Sequence, residues 1–271
     1  MITSSILRPY QNSLTQDKDN PYIYKISEPE NISNKRLILI LSAPSGSGKD
    51  AILRMLKKRG VCEHAVTGTS RGRRFEYVPE FKEEVSKNLT EDLSVDEYEN
   101  KYEQYLKEGK IVETEKYEEH IWLRKKREDE TVEEYMQSED LLEGDFHYGN
   151  IYGLPRSSFL QAYSVENKVP VVRTDISGLE SLKESLKEYG NVLSIALVAD
   201  SWEQVEESLL NREDNIDIEK IRGRIEKDKK DIERYMVSPN FIVHNTREKV
   251  GDISGLENTY RAVVSLIEKY S

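Results

Sequence analysis

Lys49 and the glycines before it are the residues of this 271-residue chain best placed to do chemistry. Ala43-Pro44-Ser45-Gly46-Ser47-Gly48-Lys49-Asp50 follows the apolar run Leu37 to Leu41 and precedes an amphipathic stretch, Ala51 to Lys58. Strand, glycine-rich turn and helix in that order aim backbone N–H groups at one anion, and the lysine adds a mobile charge. The spacing lies close to G-x-x-x-x-G-K-[ST], a pattern that cradles nucleotide phosphates. Ala43 stands where the first glycine is expected, and Asp50 where a hydroxyl is expected. Pro44, Ser45, Gly46, Ser47, Gly48, Lys49 and Asp50 are therefore the expected phosphate-binding residues. Asp50 offers a carboxylate to Mg²⁺, directly or through water. Its plain structural role is an acid in the first turn of a helix, which the helix dipole favours.

Short apolar strands that alternate with helical patterns must position that loop. Lys168 to Val172 precedes a helix over Leu179 to Glu188, and Asn191 to Val198 precedes one near Trp202 to Leu210. Asn240 to His244 precedes a last helix, Leu256 to Tyr270. Continuous apolar strands separated by amphipathic helices predict an α/β fold, a parallel sheet with helices on both faces. Ligands bind such sheets at the carboxyl ends of the strands, where the Ala43–Asp50 loop falls. Residues 1–34, with Pro9, Pro21 and Pro29 among polar residues, read as an irregular arm, and the fold proper starts at Lys35. Between residues 72 and 148 the pattern changes to crowded charges with Tyr77, Tyr98, Tyr102, Tyr105 and Tyr117 interspersed. This reads as a smaller inserted subdomain, partly helical. The run from Arg124 to Glu130 reads as a solvated helix face.

Composition narrows the partners. A net charge of −11 argues against general nucleic-acid or anionic-membrane binding, which needs a basic face. Cys62 is the only cysteine, so no intrachain disulfide is possible and a reducing compartment fits best. His64, His120, His147 and His244 lack metal-ligand spacing. Residues 1–34 have no apolar signal region, and Leu37 to Leu41 falls far short of the ~20 residues that span a bilayer. The expectation is a soluble, cytoplasmic protein whose partners are small molecules, with neither nucleic acid nor membrane among them.

Further motifs follow the loop in order. Thr67-Gly-Thr-Ser-Arg71-Gly-Arg-Arg74 resembles the S/T-x-[ST]-[ST]-R-x-x-R that the guanylate kinase family places at the edge of its GMP site. Gly109 to Glu113 is similar to the family's G-x-[FL]-[IL]-E, and Tyr148 to Gly153 to its G-x-x-Y-G. Val172 to Gly178 looks like the strand-end D-x-x-G. Arg212 and Ile221 to Arg224 look like the arginines of the ATP lid, and Phe241 to Asn245 like the closing V-x-N. Each motif is weak; their collinearity is the signal.

The resemblance implies a P-loop NTPase fold over 35–271, with an inserted GMP-binding subdomain at 72–160 and an arginine-bearing lid at 211–224. It implies Mg²⁺-dependent phosphoryl transfer from ATP to GMP, giving ADP and GDP. Lys49, Arg71, Arg212 and Arg224 would be catalytic, spreading the charge of the transferred group. Asn245 would touch the adenine side of ATP. Thr67, Arg71, Arg74, Glu113, Tyr152 and Asp175 would bind GMP. A carboxylate such as Glu113 suits the adjacent N1–H and N2–H₂ donors of guanine, and the two arginines suit its phosphate. Arg173 stands where many members have an Asp, adding charge near the phosphates or else pairing with Asp50. Leu154 replaces a small hydroxyl residue, and the D-Y-x-F segment is missing, with Tyr77 and Tyr98 nearby. A same-fold kinase acting on a phosphorylated ribose and a catalytically silent protein-binding module are the alternatives. The extra lengths near 75–95 and 118–147 are assigned no role.

Overall fold

The computed structural model describes residues 4–30, 34–70, 75–90, 93–113, 121–147, 150–211, 218–246 and 253–271. Along the chain run β1 (Thr15–Gln16), β2 (Ile23–Lys25), β3 (Leu37–Ser42), α1 (Lys49–Lys58), β4 (Cys62–Ala65), β5 (Gly68–Thr69), β6 (Phe75–Tyr77), α2 (Lys82–Asn88), α3 (Val95–Lys107), β7 (Ile111–Glu113) and β8 (Ile121–Trp122). There follow α4 (Val132–Ser138), β9 (Leu141–His147), β10 (Asn150–Pro155), α5 (Arg156–Ser164), β11 (Val169–Thr174), α6 (Ile176–Ser185), β12 (Asn191–Ala199), α7 (Trp202–Leu210), α8 (Ile218–Val237), β13 (Phe241–Asn245) and α9 (Ile253–Tyr270). The chain divides into two compact units, Met1–Ala65 with Phe159–Ser271, and Val66–Ser158.

The first unit is built on a seven-stranded sheet of order β1-β2-β13-β12-β3-β11-β4. Neighbours from β13 to β4 pair in parallel; β2 joins β13 antiparallel, and β1, antiparallel to β2, forms the other edge. Strand β3 is buried along its whole length, so its side chains serve two cores by alternation. Leu37, Leu39 and Leu41 join Ile52, Leu53 and Leu56 of α1 and Val263, Leu266 and Ile267 of α9 on one face. Helix α6 contacts β3 and β12, and α7 contacts β12, with Leu179, Leu182, Val205 and Leu209 buried. The carboxyl ends of β3 and β11 lie side by side, with Ser42 opposite Thr174.

Residues 4–26 depart from the irregular arm expected of them. Ser4 is fully buried against the carbonyls of Ala199 and Asp200, and Ile23–Lys25 is a sheet strand. Three residues among prolines carry too short an alternation to be read from sequence, and the pairing edge of β13 decides their structure.

The second unit carries a four-stranded sheet, β8-β5-β10-β9, and a separate ribbon of β6 with β7. Tyr135 of α4 with Leu141 and Ile151 forms one small core; Val85, Tyr102, Tyr105 and Ile111 form another. Tyr98 packs against the second and stacks on Tyr102. The run from Arg124 to Arg127 forms no helix, contrary to expectation. It extends after β8, and Arg124 forks onto both carboxylate oxygens of Glu130 at 2.7 and 2.8 Å. Arg124 also donates to Glu139 at 2.6 Å, while Tyr135 Oη donates to the Arg124 carbonyl. Arg124, Glu130 and Glu139 are turned on one another, while Arg127, Glu128 and Asp129 stay exposed.

Candidate functional site

The residue after β3, Ala43, is 3 % exposed and packs in the core of the first unit, which accounts for an alanine where a glycine was expected. The chain then turns through Gly46 at φ 74° and Gly48 at φ 87°. That left-handed region is one that residues with a Cβ rarely enter. Space makes the same demand: a Cβ on Gly48 would lie 2.6 Å from Asn245 Nδ2, and one on Gly46 2.9 Å from the Val205 carbonyl oxygen. Gly48 caps α1 without a side-chain hydrogen bond. The first N–H groups of a helix have no partner within it and suit an anion. Ser47 Oγ, in a residue 2 % exposed, has no hydrogen-bond partner among the described residues. A buried orphan hydroxyl beside such a turn fits a site completed by phosphate oxygens.

Side chains from four elements converge on this loop. From the end of β13, Asn245 Nδ2 donates to the Ser47 carbonyl at 2.9 Å, and Thr259 of α9 donates to Asn245 Oδ1 at 3.0 Å. Asn245, expected beside adenine, is buried at 3 % exposure and braces the loop backbone. Lys49 Nζ donates to the Thr174 carbonyl at the end of β11, at 2.8 Å. Burial pulls the Lys49 pKa down, against the raising effect of Asp50, Asp175 and Asp228. Arg173 Nη1 donates to Asp50 Oδ1 at 2.8 Å, so of the two roles open to Arg173 the pairing is the one observed. Asp175 caps α6 by accepting from Gly178 N–H at 3.0 Å, and lies 3.9 Å from Lys227.

Asp228 was not foreseen. Its Oδ2 accepts the Ser45 N–H at 2.8 Å, and burial raises its pKa. Ile221, Ile225, Asp228, Tyr235 and Met236 are buried along one stripe of α8, so an acid interrupting an apolar stripe was the available signal. The surrounding Lys227, Lys229, Lys230 and Asp231 mask it in the sequence.

No family model matches the chain, and no curated protein matches its sequence. Among solved structures it is similar to guanylate kinase from Anaplasma phagocytophilum, at 15% identity over 87% of this chain and 86% of that one, with a TM-score of 0.42. It is also similar to TT1252 from Thermus thermophilus, at 12% identity over 86% of this chain and 98% of that one, with a TM-score of 0.41. These likenesses are distant. They assign no activity, which must be argued from the residues themselves.

The remaining expected residues divide between the units. Arg224 lies on α8 of the first, one turn before Asp228. In the second, Thr67 precedes β5, and Tyr152 of β10 lies opposite Thr69. Gly153 faces Gly68 on one side and Gly144 on the other, and a Cβ on it would meet the Glu143 carbonyl oxygen at 2.6 Å. Close strand approach thus explains this glycine without a ligand. Leu154 is fully buried, so the missing hydroxyl is a core position here. The backbone of Glu113 ends β7, in the separate ribbon, and its side chain lies outside the described part. Arg71, Arg74 and Arg212 lie outside the described residues, as do Tyr148 and the 212–217 part of the expected lid.

Asp50 is the sole carboxylate expected to hold metal. Among the described residues no group of three or more His, Cys, Asp or Glu is arranged to bind an ion. Asp50 Oδ1 accepts from Arg173 at 2.8 Å, so this carboxylate would take Mg²⁺ only by sharing or leaving that pair. Among the same residues no helix is long and apolar enough to cross a membrane.

Proposed function

We propose that the chain is a P-loop kinase of guanylate kinase type, transferring the γ-phosphoryl of ATP to GMP with Mg²⁺. The observation that carries this reading is the turn after β3: two left-handed glycines, an orphan buried hydroxyl and Lys49 at the carboxyl end of parallel strands. Phosphoryl transfer needs little covalent chemistry from a protein, only positioning and cation density. Lys49 and the loop N–H groups would hold the donor phosphates. Arg71, Arg212 and Arg224 would gather on the transferred group and stabilise its charge. Asp50, drawn from its pair with Arg173, and the donor phosphates would hold Mg²⁺, which would supply positive charge at that site. Thr67, Arg74, Glu113, Tyr152 and Asp175 would bind and orient GMP. A base-reading carboxylate is what separates this from a sugar-phosphate kinase, since a sugar phosphate offers Glu113 no guanine edge.

Glu113→Gln replaces an acceptor pair by one donor and one acceptor. Loss of a charged hydrogen bond is worth about 1.5–3 kcal/mol, so KM for GMP should rise roughly 10- to 100-fold with KM for ATP unchanged. Steady-state kinetics with GMP, AMP, dGMP and a ribose phosphate as acceptors make the comparison. An unchanged KM for GMP, or turnover with the sugar phosphate alone, would remove GMP from the account.

A further inference from the structure

Burying a carboxylate is costly unless it finds donors or opposite charge, so the place of Asp228 on the apolar stripe of α8 calls for a reason. Its Oδ2 takes the Ser45 N–H at 2.8 Å, inside the phosphate loop; the Ser45 side chain also bonds to Asp228, and Lys49 and Lys227 act on its charge. The ammonium of Lys49 is turned to the Thr174 carbonyl at 2.8 Å. Two donors that an incoming phosphate would use are thus satisfied from within the chain, one of them by an oxyanion. An exposed acid on a lysine-rich helix would have cost nothing; this one is set against the loop.

We infer that Asp228 is an affinity-determining residue of the phosphate loop, a built-in anion that competes with an incoming phosphate for the same donors and repels it. The inference rests on the phosphate-binding reading of the loop. It makes the loop a weaker polyphosphate site than its glycines and lysine alone would provide. It also ties α8, which carries Arg224 one turn away, to whether the loop is filled.

Asp228→Asn tests this directly, because the amide keeps an oxygen for Ser45 N–H and deletes the charge. Calorimetric titration of the full chain with inorganic pyrophosphate, without metal, should show the Asn variant binding on the order of tenfold more tightly than the native chain. Asp228→Ala should also tighten binding, and it carries the test if the Asn variant does not fold. Adding Lys49→Ala should abolish the gain. A folded variant that binds pyrophosphate as weakly as the native chain, or more weakly, overturns the inference, as does absence of binding in both. Tighter pyrophosphate binding with no transfer to GMP in any protein would uphold the inference and overturn the kinase reading. Native transfer to GMP with pyrophosphate affinity unmoved by Asp228→Asn would do the reverse.

Discussion

Two glycines with similar backbone angles separate strain from contact. Gly48 at φ 87° faces Asn245 Nδ2 at 2.6 Å from a would-be Cβ, whereas Gly60 at φ 74° has nothing within 4 Å. Gly60→Ala should cost only the left-handed penalty, about 1 kcal/mol of stability. Gly48→Ala should cost that and a collision, on the order of 2 kcal/mol or more, and should weaken phosphate binding. Denaturant unfolding of both variants checks the ordering; equal losses would mean that Asn245 yields without resistance. The glycines were legible in the sequence because a turn of this kind has few other solutions. Asn245 was expected beside adenine, an expectation that gave no hint of its bonds to Ser47 and through Thr259 to α9. Contacts between residues 14 and 198 positions apart leave no local trace in a sequence.

At the scale of elements, charge misleads where composition alone is read. The Arg124 to Glu130 stretch has the look of a solvated face, yet the Arg124 guanidinium holds the Glu130 carboxyl at about 2, well below its usual range. The folded pKa lies below the unfolded value of about 4.3, so the contribution is fully present above that value and fades as pH falls toward 2. Glu130→Gln lacks it at every pH. The gap in thermal stability between native chain and variant should therefore be widest near neutrality and narrow between pH 5 and pH 2. A gap constant across that range would show that the fork contributes nothing that titrates. Helix α8 teaches the same lesson: Asp228 hides among lysines until the helical phase sets it on the stripe of Ile221, Ile225 and Tyr235. Strands β11, β12 and β13 were legible because each is a nearly unbroken apolar run. Ile23–Lys25 was not, because its partner edge, rather than its own pattern, makes it a strand.

For the whole molecule, the account places donor-phosphate binding in the unit of Met1–Ala65 with Phe159–Ser271, and acceptor-binding candidates Thr67, Glu113 and Tyr152 in Val66–Ser158. A net charge of −11 makes the chain as a whole repel anions, so the proposed function requires local donors to overcome the global field. In the loop, glycine geometry and Lys49 would do so, while Asp50 and Asp228 would work against them, the first offset by Arg173. If these parts serve phosphoryl transfer, ADP formation from ATP and Mg²⁺ should depend on GMP. The native chain should form ADP only when GMP is present, at a rate reduced on the order of 100-fold or more in Lys49→Ala, which lacks a charged group acting on the transition state. ADP formation that ignores GMP, or that survives Lys49→Ala undiminished, would contradict that role.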